Sequence, residues 1–388
     1  MTEINHAERS HALLSASGAK RWLACTPSAR LEDKFPEQTS VYAQEGTLAH
    51  ETAEKILTAL IEGRKRPPFK RPELKEIAKE LEPYITYVMD LYKELNKDGG
   101  AVIFLETKVD FSEYVPEGFG TGDVIIIAGD TLHIIDLKYG KGVAVSAVDN
   151  PQLRLYGIGA LKEYEDIYDL EKVVMHIAQP RLDSFSNEEL TCEELEAWAI
   201  EEVKPRAQMA YEGKGEFVTG KHCQFCRASA VCRKRFEHYT EITKLQNENP
   251  EVLANNGELA TIVREAKNIE NWVKEVCLYA RKEMMEGVKF DGLKLVAGKN
   301  KNVLKDQDKL VETLEKAGID RNLIFKPDVL VNKSDLERLA GGKKKFEELT
   351  AGLYESVPSD PLIDKAESKK EEWKPGGDFD DVDVDSYE

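Results

Sequence analysis

The sequence lacks any long apolar run. No stretch of its 388 residues approaches the length of a membrane-spanning helix, which needs about 20 apolar residues. The first residues, MTEINHAERSHALLS, contain no apolar core of a signal peptide. We therefore expect a soluble, cytoplasmic protein with no membrane partner. A hydrophobic share of 41% is enough for a sizeable core, and the length predicts two or three domains.

The chain also lacks a surplus of positive charge. Its 72 acidic residues outnumber 54 basic ones, which gives a net charge of −18 and an isoelectric point near 5.1. This balance argues against a protein that coats nucleic acid through a broad basic surface. Any contact with nucleic acid must be confined to a local groove, where bound metal ions would offset part of the acidic charge.

Cysteine is scarce, with six residues, but three of the six are clustered. Cys223, Cys226 and Cys232 follow the spacing Cys-x2-Cys-x5-Cys, which brings thiolates within reach of one metal centre. In a cytosolic chain such a cluster indicates a metal site more than disulfides. Three cysteines need a fourth ligand, and two candidates are His222, which is close in sequence, and Cys25, which is distant.

A predicted β-hairpin carries two carboxylates. The apolar runs Val124–Ala128 and Leu132–Ile135 flank Gly129-Asp130, a pattern typical of two strands joined by a tight turn. Asp123 precedes the first run and Asp136 follows the second. Because the two ends meet in an antiparallel pair, we expect the two carboxylates to lie side by side.

A lysine completes this group. Lys138 follows Asp136 at i+2, on the same face of the strand. Two neighbouring carboxylates repel each other and lose solvation when half-buried. A divalent cation removes this conflict, because oxygen ligands suit Mg²⁺ or Mn²⁺. The lysine would then hold a water or the charge developing on phosphorus. Asp-x-Lys alone is also typical of a hairpin with exposed charges, so the surrounding pattern has to decide.

The surrounding residues resemble a known set of motifs. Gly120-x-x-Asp123, Asp136-Leu137-Lys138 and Gln152-x-x-x-Tyr156 resemble motifs II, III and IV of the PD-(D/E)XK nuclease superfamily. Gly46-Thr47-x-x-His50 resembles the motif I histidine of its RecB-like branch. The resemblance covers residues 1–240. It is closest to a phage-type family related to the AddB nuclease domain and the CRISPR-adaptation exonucleases.

This resemblance implies a fold and an activity. The predicted order of a helix at Val41–Ile61, three strands, a helix from Pro151 and a strand at Lys172–Ala178 matches the αβββαβ core of the superfamily. It implies a DNA exonuclease that acts in DNA processing or recombination of a phage or mobile element. Asp123, Asp136 and His50 would bind Mg²⁺ or Mn²⁺, Lys138 would position the attacking water, and Gln152 and Tyr156 would contact the DNA. Glu106, in the strand predicted at Ala101–Val109, could be a further acid at the metal, but an ordinary strand charge is the favoured interpretation.

The resemblance also implies an iron–sulfur cluster. In iron–sulfur members of the RecB-like branch, one cysteine precedes motif I and three follow motif IV, and together they bind a [4Fe–4S] cluster. Cys25, Cys223, Cys226 and Cys232 match that arrangement. The cluster would serve as a structural tie between the two ends of the nuclease domain. Zinc, with His222 as the fourth ligand, is the alternative.

The complete prediction is an α/β protein with three parts. A restriction-endonuclease-like domain, with a mixed sheet flanked by helices, covers residues 1–240. An accessory domain with a hairpin at Phe290–Val303 covers 241–357. A disordered acidic tail covers 358–388 and could dock a basic partner, such as a recombination or single-strand-binding protein. The alternatives to a nuclease are a non-catalytic DNA-binding or scaffolding protein on the same fold and a zinc-stapled interaction module.

Overall fold

The computed structural model describes residues 12–36, 41–243, 256–298, 301–326, 329–357, 359–366 and 368–373. The chain divides into two compact units, residues 1–266 and 267–388. The division falls inside one long helix, α10 (Asn256–Met285), and not at the predicted boundary after residue 240. No helix in these ranges is long and apolar enough to cross a membrane.

The first unit contains nine further helices and five strands among its described residues. The helices are α1 (Ala19–Ala24), α2 (Ser28–Glu32), α3 (Val41–Ile61), α4 (Pro72–Glu80), α5 (Glu82–Leu95), α6 (Pro151–Tyr164), α7 (Cys192–Trp198), α8 (Lys204–Glu212) and α9 (Arg233–Thr243). The strands are β1 (Val102–Asp110), β2 (Phe119–Ala128), β3 (Thr131–Leu137), β4 (Lys172–Gln179) and β5 (Ser184–Thr191). A π-helical segment at Ala199–Val203 joins α7 to α8.

The five strands form one mixed sheet in the order β1-β2-β3-β4-β5. Neighbouring strands are antiparallel except β3 and β4, which are parallel and are connected through α6. The predicted hairpin is present, and Gly129 takes a positive φ of 60° in its two-residue turn. The predicted α/β fold class, a mixed central sheet flanked by helices, is confirmed.

Helices cover both faces of this sheet. On one side α3, α4 and α5 pack against buried residues such as Val124 and Ile135, and on the other α6 packs against residues such as Ile125 and Ile134. Leu81 separates α4 from α5, because Pro83 cannot continue the hydrogen bonding of the preceding helix. These contacts fix the sheet and the start of α6 relative to each other.

Strand β5 was not predicted from the sequence. Its residues, SFSNEELT, are mostly polar and half-buried, so no apolar alternation marks it as a strand. It pairs with β4 over its whole length, from Lys172 opposite Thr191 to Gln179 opposite Ser184. Main-chain pairing to a strand already in place therefore accounts for this polar edge strand.

The second unit is built from the C-terminal part of α10 and short elements. Its helices are α11 (Gln307–Lys316), α12 (Arg321–Ile324), α13 (Lys333–Leu339) and α14 (Lys343–Leu349), and its strands are β6 (Leu293–Val296), β7 (Lys301–Leu304), β8 (Phe325–Lys326), β9 (Val329–Leu330), β10 (Tyr354–Val357) and β11 (Leu362–Lys365). Leu310, Leu314 and Phe346 form its fully buried centre.

The prediction of a hairpin at Phe290–Val303 is wrong. Strands β6 and β7 do form there, but β6 pairs with β11 and β7 pairs with β10. Gly298 lies so close to Ser359 and Asp360 that a Cβ atom would be 2.4 Å from the Asp360 carbonyl oxygen. Each strand therefore finds its partner in the C-terminal segment. Part of the segment predicted as a disordered tail is consequently strand β11, and the acidic stretch 376–385 lies outside the described residues.

Candidate functional site

Three neighbouring strands place three carboxylates in a row. In the β1–β2 ladder Leu105 pairs with Val124 and Thr107 pairs with Gly122, and Glu106, whose φ of 45° interrupts the pairing, lies level with Asp123. The β2–β3 ladder sets Asp136 across from Asp123 in the same way. Directly opposed side chains in antiparallel strands lie about 5 Å apart at Cβ. The order of the three strands therefore brings three acidic residues to one place in the sheet.

Asp123, in the middle of this row, is held on both of its oxygens. Its Oδ1 lies 3.0 Å from Nδ1 of His50 on α3, and its Oδ2 accepts a hydrogen bond of 2.7 Å from the Leu137 amide. Ligand atoms of His50, Glu106 and Asp123 all lie within 4.8 Å of one another, the only such group of three in the described ranges. These nitrogen and oxygen donors are suited to a divalent cation such as Mn²⁺ or Mg²⁺.

A second set of polar contacts adjoins the row. Lys138 Nζ lies 2.8 Å from Asp136 Oδ2 and donates to Gln152 Oε1 at 2.9 Å. The Gln152 amide in turn donates to Asp136 Oδ1 and to the Tyr156 hydroxyl, both at 3.2 Å. A Cβ atom at Gly120 would lie 2.6 Å from the Tyr156 ring, so glycine is needed for this close packing. Gln152 thus connects the lysine, the carboxylate and the tyrosine.

The carboxylates and the histidine change each other's protonation. Burial alone would lower the pKa of His50, but the hydrogen bond and the charge of Asp123 raise it to about 9. Burial and the charge of Asp123 raise the pKa of Glu106 to about 7. Burial also raises the pKa of Asp136, against the opposing effect of Lys138. A bound cation would remove this mutual repulsion among the carboxylates.

The predicted residues Asp123, Asp136, Lys138 and His50 are thus brought together, as are Gln152 and Tyr156. Glu106, for which the sequence favoured an ordinary strand charge, also belongs to this cluster. Its φ of 45° lies in the left-handed region that is unusual for a residue with a side chain. No local signal could have placed Glu106 there, because eight residues separate β1 from β2 and no tight turn fixes the register of the two strands.

The four predicted cysteine ligands also lie together, at a separate place in the first unit. Cys25, Cys223, Cys226 and Cys232 line one small cavity, and His222 lines it as well. Cys25 is buried at the end of α1, and its sulfur accepts a hydrogen bond of 3.4 Å from the Val218 amide. Burial raises the pKa of the Cys226 thiol to about 12. Both candidate fourth ligands, Cys25 and His222, therefore lie at the same cavity as Cys223, Cys226 and Cys232.

The fold and site define a mixed α/β protein with an acidic candidate metal centre. The chain matches the family described as protein of unknown function (DUF2800) over residues 11–371, and it therefore belongs to that family. The crystal structure of SSO0001 is similar at 14% identity, with 60% of this chain and 90% of that chain covered and a TM-score of 0.25. A score this low supports no conclusion about the fold or the function of this chain.

Replacing Glu106 with glutamine is expected to stabilise the metal-free protein at pH 8 and to weaken Mn²⁺ binding. The pKa of Glu106 is raised from 4.5 to about 7, so the stability linked to this carboxyl is present below pH 4.5 and lost as the pH rises through 7. After allowance for solvent screening, we expect a gain of about 1–2 kcal/mol at pH 8 and none at pH 4. Denaturant unfolding at both pH values measures it.

Glu113→Gln is the matched control, because Glu113 is an exposed glutamate just beyond β1. It should leave both the unfolding free energy and the Mn²⁺ affinity unchanged. A Glu106→Gln protein that is less stable than wild type at pH 8 would contradict the repulsion described above.

Proposed function

We propose that this protein is a metal-dependent DNA nuclease of the PD-(D/E)XK type, from the RecB-like branch. The observation that carries the proposal is the single cluster formed by His50, Asp123, Asp136 and Lys138. A fold has no need of two carboxylates and a lysine at one strand end, and their mutual repulsion makes the arrangement costly without a ligand. The same cluster is suited to phosphodiester hydrolysis.

Each residue has a defined part in this proposal. His50, Glu106, Asp123 and Asp136 would hold Mg²⁺ or Mn²⁺. When bound, such an ion polarises a phosphate and lowers the pKa of a water molecule. Binding requires His50 to lose its proton, so metal affinity should rise with pH towards its pKa of about 9.

Lys138 is fixed by Asp136 and Gln152, which leaves its ammonium group oriented beside the carboxylates. It would hydrogen-bond the attacking water or the phosphate and stabilise the charge that develops there. Gln152 and Tyr156 were predicted to contact the DNA. Their contacts support a role in orienting Lys138 and Asp136 as well.

We further propose that Cys25, Cys223, Cys226 and Cys232 bind a [4Fe–4S] cluster. All four cysteines line one small cavity, which is the arrangement that ligands of a shared metal centre require. A thiol whose pKa is raised to about 12, as at Cys226, becomes a thiolate readily only when a metal binds it. Zinc with His222 remains the alternative.

Labelled single- and double-stranded DNA, incubated with Mn²⁺, tests the nuclease proposal. Wild type should cleave at least one of the two DNAs, and Asp136→Asn should reduce the rate about 10³-fold. Asp130→Asn, at an exposed aspartate in the turn of the same hairpin, is the matched control and should cleave as wild type does. If the wild-type protein binds DNA and Mn²⁺ but leaves both DNAs intact, the chain is a non-catalytic binder and the proposal is wrong.

A further inference from the structure

A cavity of about 300 Å³ lies beside the first turn of α6. Its walls come from three places: α1, the start of α6, and the α7–α8 region. The polar and aromatic residues of its lining are Lys20, Asp149, Arg154, Trp198, Glu202 and Arg206. None of them belongs to the acidic cluster or to the cysteine cavity.

One wall of the cavity offers a flat, rigid surface. The Arg154 guanidinium lies 5.5 Å from the centre of the Trp198 ring. Arg154 is held in place by two hydrogen bonds to Glu188, at 2.9 and 2.6 Å, and its side chain is only 13% exposed. An indole ring and a fixed guanidinium plane are the surfaces on which nucleic-acid bases stack in many proteins.

The charges around the cavity leave one cation without an acidic partner. Arg154 lies 2.7 Å from Asp149 and 2.6 Å from Glu188, and Arg206 lies 3.1 Å from Glu202, so both arginines have acidic partners. Lys20 is exposed at the rim and forms no ion pair in the part of the chain that the structure describes. Lys20 is therefore the lining cation that is available to contact an anionic group of a ligand.

The cavity and the acidic cluster both include residues from the first turn of α6. Pro151, the first residue of α6, lines the cavity, and the next residue, Gln152, hydrogen-bonds Lys138 and Asp136. We propose that this cavity binds one nucleotide of a DNA strand next to the metal centre. The base would stack against Trp198 and Arg154, and a phosphate would lie beside Lys20. The choice of a DNA strand as ligand rests on the proposed nuclease function.

Binding of deoxyadenosine monophosphate to the full-length protein, without added divalent metal, tests this inference. Deoxyadenosine and inorganic phosphate serve as the probes for each half of the nucleotide, and calorimetry measures all three. We expect the nucleotide to bind about tenfold or more tightly than either half, since stacking and the charge contact both contribute. Equal binding of the nucleotide and inorganic phosphate, or no nucleotide binding, overturns the inference.

Variants of the lining residues provide the second arm. Lys20→Glu and Trp198→Leu should each weaken nucleotide binding about tenfold. Trp198→Phe, which keeps an aromatic ring, should retain most of it. Lys75→Glu, at an exposed lysine on α4, is the charge control and should bind as wild type does. Unchanged affinity in Lys20→Glu overturns the inference.

The cleavage assay separates this inference from the proposed function. For single-stranded DNA, Lys20→Glu should raise KM about tenfold and leave kcat unchanged, because Lys20 touches none of the residues of the acidic cluster. If the protein cleaves DNA but does not bind the nucleotide, the proposed nuclease function stands and nucleotide binding in the cavity is refuted. If it binds the nucleotide through Lys20 and Trp198 but cleaves no DNA, nucleotide binding stands and the nuclease function is refuted.

Discussion

Asparagine in place of Asp123 is expected to abolish divalent-metal binding and to slow DNA cleavage about 10³-fold or more. Asp123 is the central carboxylate of the row, and one of its oxygens faces His50 while the other is held by the Leu137 amide. An asparagine is nearly the same size, so the packing survives while the negative charge is lost. Mn²⁺ titration and the cleavage rate measure the two effects, with Asp130→Asn as control.

The same variant should change the protonation of His50. Burial lowers the pKa of His50, and the hydrogen bond and charge of Asp123 raise it to about 9, so replacing Asp123 should lower that pKa. NMR titration of the imidazole measures this shift in the metal-free protein. A variant that keeps its fold, loses activity and yet leaves the pKa of His50 at about 9 would contradict the contact between the two side chains.

Serine in place of Cys226 is expected to remove the metal centre proposed at the four cysteines and to lower the free energy of unfolding by roughly 4 kcal/mol. The cysteine cavity joins the end of α1 to the segment after α8, so a metal centre there closes a very long loop of the chain. Without it, the unfolded state regains the conformational freedom of that loop. Denaturant unfolding gives the stability, and visible absorption with iron and zinc analysis gives the metal.

Cys277→Ser is the control, because Cys277 is exposed on α10 and lines no part of the cavity. It should keep both metal and stability. Iron with a broad visible absorption supports the [4Fe–4S] cluster, whereas zinc in a colourless protein supports the His222 alternative. A Cys226→Ser protein with full metal content would refute both.

The elements that the sequence predicted well have local signals. The bounds of α3 follow from an apolar stripe at helical spacing, and the interruption between α4 and α5 follows from Pro83. The hairpin follows from Gly129-Asp130 between two β-branched runs. Since an antiparallel hairpin fixes its own register, the proximity of Asp123 and Asp136 could be predicted from the same local pattern.

The features that were missed depend on distant parts of the chain. Strand β5 is polar and is stabilised by pairing with β4, which no local pattern reveals. Strands β6 and β7 are close in sequence but pair with segments fifty or more residues further on. The backbone of Glu106 takes a left-handed conformation, which the residue types in this strand do not predict. Each of these features is decided by tertiary contacts, which override local preference.

The two-residue turn of the β2–β3 hairpin sets a constraint on how this chain can change in length. Asp123 lies six residues before Gly129, and Asp136 lies six residues after Asp130. Deleting one residue from either strand would move one carboxylate to the opposite surface of the sheet, since side chains alternate. Residues added within the turn itself would leave the two strand segments between the turn and the carboxylates equal in length. Relatives of this chain can therefore vary in the turn, while these two strand segments must keep matched lengths.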